Sequence, residues 1–144
     1  MKPSQVILPL LFVTTILCPA QNTSSIVIRL VNGKNGKPIV DKQVNVELGK
    51  SEISRDPDSQ GEIVLDILNV EPRELRVRPN NDFDCRFKKD QMGSGGLDLK
   101  YSLDEVVSKG IVGDNHCGKA HVLPTPGILT LYLRPRTLME WLSL

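Results

Sequence analysis

His116, Cys117 and His121 lie within six residues of one another. Imidazole and thiolate are the donors of zinc sites and the working groups of cysteine nucleophiles. If folding brought Cys85 close, the set would have two Cys and two His, the ligand count of a structural zinc. A Cys117–histidine nucleophile would instead need a free, activated sulfur and a defined oxyanion hole. The simplest reading is a Cys85–Cys117 disulfide beside two surface histidines, with no metal and no cofactor assigned.

Other chemistry-bearing residues lack the context their chemistry requires. Asp56, Asp58, Asp66, Asp82 and Asp84 could supply oxygen ligands to calcium, but only if an ordered loop made them converge. Aspartate in such Pro- and Gly-rich surroundings more commonly builds turns. The Met92-Gly93-Ser94-Gly95-Gly96 run resembles a phosphate-cradling loop but lacks the following Lys-Ser/Thr, so it reads as a flexible loop. There is no Gly-x-Ser-x-Gly elbow, and no catalytic residue is assigned.

The expected compartment supports the disulfide. Lys2, the apolar run Val6 to Leu17 and the closing Cys18-Pro19-Ala20 make a tripartite secretory signal over residues 1–20, with cleavage before Gln21. Twelve apolar residues are too few to span a bilayer as a helix. Cys18 raises lipidation as an alternative, although Leu17 stands where lipid attachment generally wants a small residue. The remaining Cys85 and Cys117 form an even pair in a small exported domain. Closing their loop of about 33 residues contributes roughly 3–4 kcal/mol on chain-entropy grounds.

Removing residues 1–20 leaves 17 basic and 17 acidic side chains, well mixed along the chain. That balance gives no footprint for nucleic acid or an anionic membrane. Aromatic content of 4% argues against stacking platforms for bases or sugar rings.

Positioning these groups falls to short strands. Ser25 to Val31 places Ile26, Ile28 and Leu30 on one face, and Gln43 to Leu48 places Val44, Val46 and Leu48 inward. Between them, Asn32-Gly33, Asn35-Gly36 and Pro38 predict a turn, so Ser25–Leu48 reads as a β-hairpin. Further strands are expected at Glu52–Arg55, Glu62–Ile67, Glu74–Arg78 and Asp84–Lys89, with a final one at Gly127–Arg134. Ser102 and Glu105 form a capping box that opens one short helix ending at Lys109-Gly110.

The run Ile28-Arg29-Leu30-Val31, Gly36-Lys37-Pro38-Ile39, Val44-x-Val46, then Asp58 to Leu65 and Pro72 to Val77 resembles the carboxypeptidase regulatory-like domain. The likeness covers about Ser25 to Pro79. It implies a seven-stranded-type transthyretin-like (prealbumin-like) all-β sandwich over residues 21–135, with one short helical insertion. In that family the sandwich is an accessory to a separate zinc peptidase. Neither His116 nor His121 has a Glu three residues on, so the resemblance implies no inherited activity.

The expected function is a secreted or periplasmic, non-catalytic interaction or structural module whose partner is an unknown protein or envelope component. A binding module for envelope glycan or peptide is the alternative, and an unrecognised hydrolase is disfavoured. Residues 136–144 form an apolar tail, in which Leu138, Met139, Trp141 and Leu142 either pack back onto the sandwich or form an interface.

Overall fold

Period-two burial organises the chain into strands that each lay one face on a shared core. The computed structural model describes residues 25–79, 92–93, 96–97 and 99–134. In order these form β1 (Ser25–Asn32), β2 (Val44–Leu48), β3 (Ser51–Arg55), β4 (Glu62–Asp66), β5 (Glu74–Pro79), β6 (Met92–Gly93), β7 (Gly96–Leu97) and β8 (Leu99–Ser102). Then follow α1 (Leu103–Lys109), β9 (Ile111–Val112) and β10 (Ile128–Leu133).

Eight of the strands make two four-stranded sheets, β4-β1-β10-β9 and β3-β2-β5-β8, and β6 pairs with β7 alone. The expected all-β sandwich with one short helix is therefore present, with one strand more than a seven-stranded plan. Ile28 and Leu30 of β1, Val44 and Val46 of β2, Leu75 and Val77 of β5, and Leu129 and Leu133 of β10 are fully buried between the sheets. Each such side chain contributes roughly 1.5–3 kcal/mol through its removal from water.

The hairpin expected over Ser25–Leu48 does not form. β1 and β2 belong to different sheets. After β1 the chain folds back only as far as a bridge between Val31 and Pro38, closed by Asn32 N–H to the Lys37 carbonyl at 2.8 Å and Ile39 N–H to the Leu30 carbonyl at 3.0 Å. Pro38 has no N–H with which to continue a ladder, so the chain then crosses to the other sheet. The vacated neighbour position is taken by β10, which pairs with β1 in parallel from Val27–Ile128 to Asn32–Leu133.

Local chemistry fixes the rest. Asp58 Oδ1 accepts from the N–H groups of Gln60 at 2.8 Å and Glu62 at 2.9 Å, and Asp66 Oδ1 accepts from Leu68 N–H at 2.9 Å. Both aspartates are therefore turn formers, and Asp82 and Asp84 lie outside the described residues. Gly61 closes the first of these turns at φ 74°, where a Cβ would stand 2.8 Å from the Leu30 carbonyl. In α1, Ser102 Oγ accepts from Glu105 N–H at 3.4 Å and Gly110 caps the other end at φ 73°. Leu103 and Val106 of the helix are buried. The Met92–Gly96 run differs from the expected flexible loop, because Met92–Leu97 and Gly93–Gly96 pair antiparallel.

Outside the core, charges pair with one another. On sheet β3-β2-β5-β8, Arg78 meets Glu47 at 2.7 Å and Glu52 at 3.6 Å, and Arg76 meets Glu74 at 2.5 Å. The Arg76 guanidinium holds the Glu74 carboxyl below its ordinary range. On the other sheet Arg29 and Glu62 lie 2.7 Å apart. Partly exposed pairs of this kind contribute little each, typically under about 1 kcal/mol.

Candidate functional site

The sandwich opens at one edge, where β8 bounds one sheet and β9 the other. Ladder position decides what faces this mouth. Leu99 and Tyr101 sit opposite Val77 and Leu75, so both turn toward the interior. From the opposite sheet come Leu131 and Leu133 of β10 and Ile111 of β9. β9 pairs only with Leu129 and Thr130, and its ladder ends with Gly113 N–H donating to the Thr130 carbonyl at 2.9 Å. Beyond that point Gly113 and Asp114 leave the edge and line a cavity of about 210 Å³.

Two polar side chains line this cavity, the Asp114 carboxylate at the rim and, deeper, the Tyr101 phenol, which makes no hydrogen bond to another described residue. Its hydroxyl lies 3.7 Å from where a Cβ on Gly113 would stand, facing the wall opposite. Burial pushes its pKa up to about 12, and the Asp114 carboxylate adds to the rise. The phenol is therefore a neutral hydrogen-bond donor throughout the physiological range. At the rim, Asp114 is largely exposed and lies 3.8 Å from His116 Nε2. Two other hollows are more open surfaces; Arg29 pairs with Glu62 in one, and in the other Glu74 pairs with Arg76 and Arg73 with Asp104.

Beside the mouth, the loop from Asn115 to Ala120 is locked against the turn after β1. Asn115 Nδ2 donates to the carbonyls of Gly33 at 2.9 Å and Ala120 at 2.7 Å. Its Oδ1 accepts from the N–H groups of Cys117 at 3.0 Å and Gly118 at 3.1 Å. Cys117 Sγ thereby comes 3.6 Å from the Tyr132 carbonyl. The Tyr132 side chain lies on the face of β10 opposite Leu131 and Leu133; it is buried, and its hydroxyl has no hydrogen-bond partner among the described residues.

The residues singled out in the sequence fall differently. His116 and Cys117 belong to this loop, and His121 is exposed just beyond it. Among the described residues no three His, Cys, Asp or Glu side chains converge as a metal site. Cys85, the strand expected at Asp84–Lys89, residues 1–20 and the tail with Leu138, Met139, Trp141 and Leu142 lie outside the described residues. No described helix is long and apolar enough to cross a membrane. Sequence reasoning missed Tyr101 and Asn115. Tyr101 sits in a strand of only four residues, whose Leu-Lys-Tyr-Ser alternation is too short to stand out, and Asn115 in a loop where asparagine is ordinary.

No protein-family model, no curated protein and no solved structure matches the chain.

Proposed function

We propose that this protein is a secreted or periplasmic, non-catalytic β-sandwich interaction module whose working end is the mouth between β8 and β9. The observation that carries the reading is the mouth itself: a largely apolar cavity holding a phenol with no hydrogen-bond partner among the described residues, beside the Asp114 carboxylate at the rim. Recognition needs a shaped surface with unmet polar groups. Hydrolysis needs a nucleophile, a base and an oxyanion hole placed together; the mouth presents the Tyr101 phenol and, at its rim, the Asp114 carboxylate near His116, with no serine or cysteine among its lining residues.

Export is part of the proposal, supported by the Lys2, Val6–Leu17 and Ala20 pattern. So is a Cys85–Cys117 disulfide, supported by the even cysteine pair that remains after residues 1–20. Kinship with the carboxypeptidase regulatory-like, transthyretin-like modules is also proposed, on the Gly36-Lys37-Pro38-Ile39 and Asp58–Leu65 runs quoted above. The cavity favours one second reading, a binding module for an envelope ligand such as a peptide or glycan.

Non-reducing intact mass of the exported protein is expected to show cleavage before Gln21 and two hydrogens fewer than the dithiol. Affinity capture from the native envelope is expected to yield a stoichiometric partner that Asp114→Arg, at the exposed rim, releases. Retention by Asp114→Arg together with loss on deletion of Arg136–Leu144, at unchanged Tm, would move the working surface to the Trp141 tail. An uncleaved chain with Cys85 and Cys117 both free would overturn the export and disulfide assignments.

A further inference from the structure

We propose that the cavity at the sandwich mouth binds a small ring-bearing molecule through an uncharged hydrogen-bond acceptor, which the Tyr101 hydroxyl engages. This rests on the mouth being the working end and adds the chemical class of what it takes.

Size sets the first limit. About 210 Å³ falls below the roughly 300–1,000 Å³ of sites for drug-sized ligands, so a single substituted ring is the natural occupant. Leu99, Ile111, Leu131 and Leu133 form walls that reward an apolar body. The Tyr101 hydroxyl sets the orientation. A partly desolvated donor without an acceptor gains more from a ligand's carbonyl than one already surrounded by water.

Charge sets the last limit. Asp114 lines the same cavity, and its carboxylate already disfavours a negative charge on the neighbouring phenol. It must equally disfavour an anionic ligand, so an amide or ketone is preferred to a carboxylate of the same shape. The ring nearest the mouth in this arrangement is held rather than transformed.

Benzamide and benzoate form a matched pair of probes for the purified protein, followed by amide-resolved NMR titration. Benzamide is expected to shift the signals of Tyr101, Gly113 and Tyr132 saturably at millimolar concentration, with benzoate at least tenfold weaker. Tyr101→Phe keeps the ring and removes the donor, and should weaken benzamide about fivefold with the rest of the spectrum unchanged. Should that variant lose its native spectrum, Asp114→Asn provides a second test by bringing benzoate close to benzamide. Equal binding of both probes to the wild type, benzamide binding indifferent to Tyr101→Phe, benzoate unimproved in Asp114→Asn, or no saturable shift would each overturn the proposal. Lack of benzamide binding with partner capture still dependent on Asp114 removes the small ligand alone. Loss of both dependences removes the mouth as the working end.

Discussion

Asn115 reaches across 82 positions of sequence to donate its side-chain amide to the Gly33 carbonyl at 2.9 Å. The same carbonyl also accepts from Ala120 N–H at 3.2 Å, so one backbone oxygen anchors both ends of the loop. This contact ties the turn after the first strand to the segment that precedes the last. It is as much a part of the architecture as any ladder.

Asn115→Ala removes four hydrogen bonds at once and is expected to destabilise the fold by about 2 kcal/mol. In a domain of this size that corresponds to a fall in Tm on the order of 10 °C. Asn115→Asp should cost at least as much, because a carboxylate would face the carbonyls of Gly33 and Ala120 without a proton to donate. Thermal denaturation followed by circular dichroism measures both. An unshifted Tm in either would show that the loop is held by something else.

The loop can approach so closely because Gly118 has no side chain. A Cβ there would lie 2.5 Å from the Gly33 carbonyl oxygen and 2.7 Å from Lys34 Cα, both backbone atoms that cannot rotate away. Gly118→Ala is expected to destabilise by about 1–3 kcal/mol, through steric displacement rather than backbone strain. Because it opens the same contact that Asn115 closes, the double variant should lose less than the sum of the two. Urea denaturation of the four proteins gives the coupling, and strict additivity would place the two residues in separate interactions.

Tyr101 provides the pH signature. Its folded-state pKa of about 12 lies above that of a tyrosine free in the unfolded chain, about 10. The folded protein therefore holds this proton more tightly, and the linked stability is fully present below pH ~10. It is lost as pH rises from about 10 to about 12, a decline of roughly 3 kcal/mol at most. Absorbance titration near 295 nm should show a step near pH 12 that Tyr101→Phe removes, along with its share of the alkaline decline. A step near pH 10 that disappears in Tyr101→Phe would place the phenol in solvent instead.

Much of the fold could be read from alternation. Val44, Val46 and Leu48 in one strand and Leu75 and Val77 in another are buried as their spacing predicts. The capping box at Ser102 and Glu105 and the turn at Asp58 also follow from local chemistry. Sheet membership does not, because Asn-Gly and Pro report that the chain turns, not which strand it meets afterwards. The parallel pairing of β1 with β10 joins residues about a hundred positions apart, beyond any local signal. Nor could the site be read: the mouth arises where the two-residue β9 stops short and leaves Tyr101 opposite an unfilled edge.

The pairing of the first described strand with the last also governs when the molecule can come into being. A chain synthesised or threaded through a pore from its N-terminus has β4 available beside β1, but not β10 until Leu133 has emerged. Until then the sheet lacks an interior strand whose Leu129, Leu131 and Leu133 fill the core. Completion of the fold is thus timed by the emergence of β10, and contacts of such high sequence separation form slowly. A polypeptide in transit would stay open to extension until β10 arrives to close the sheet.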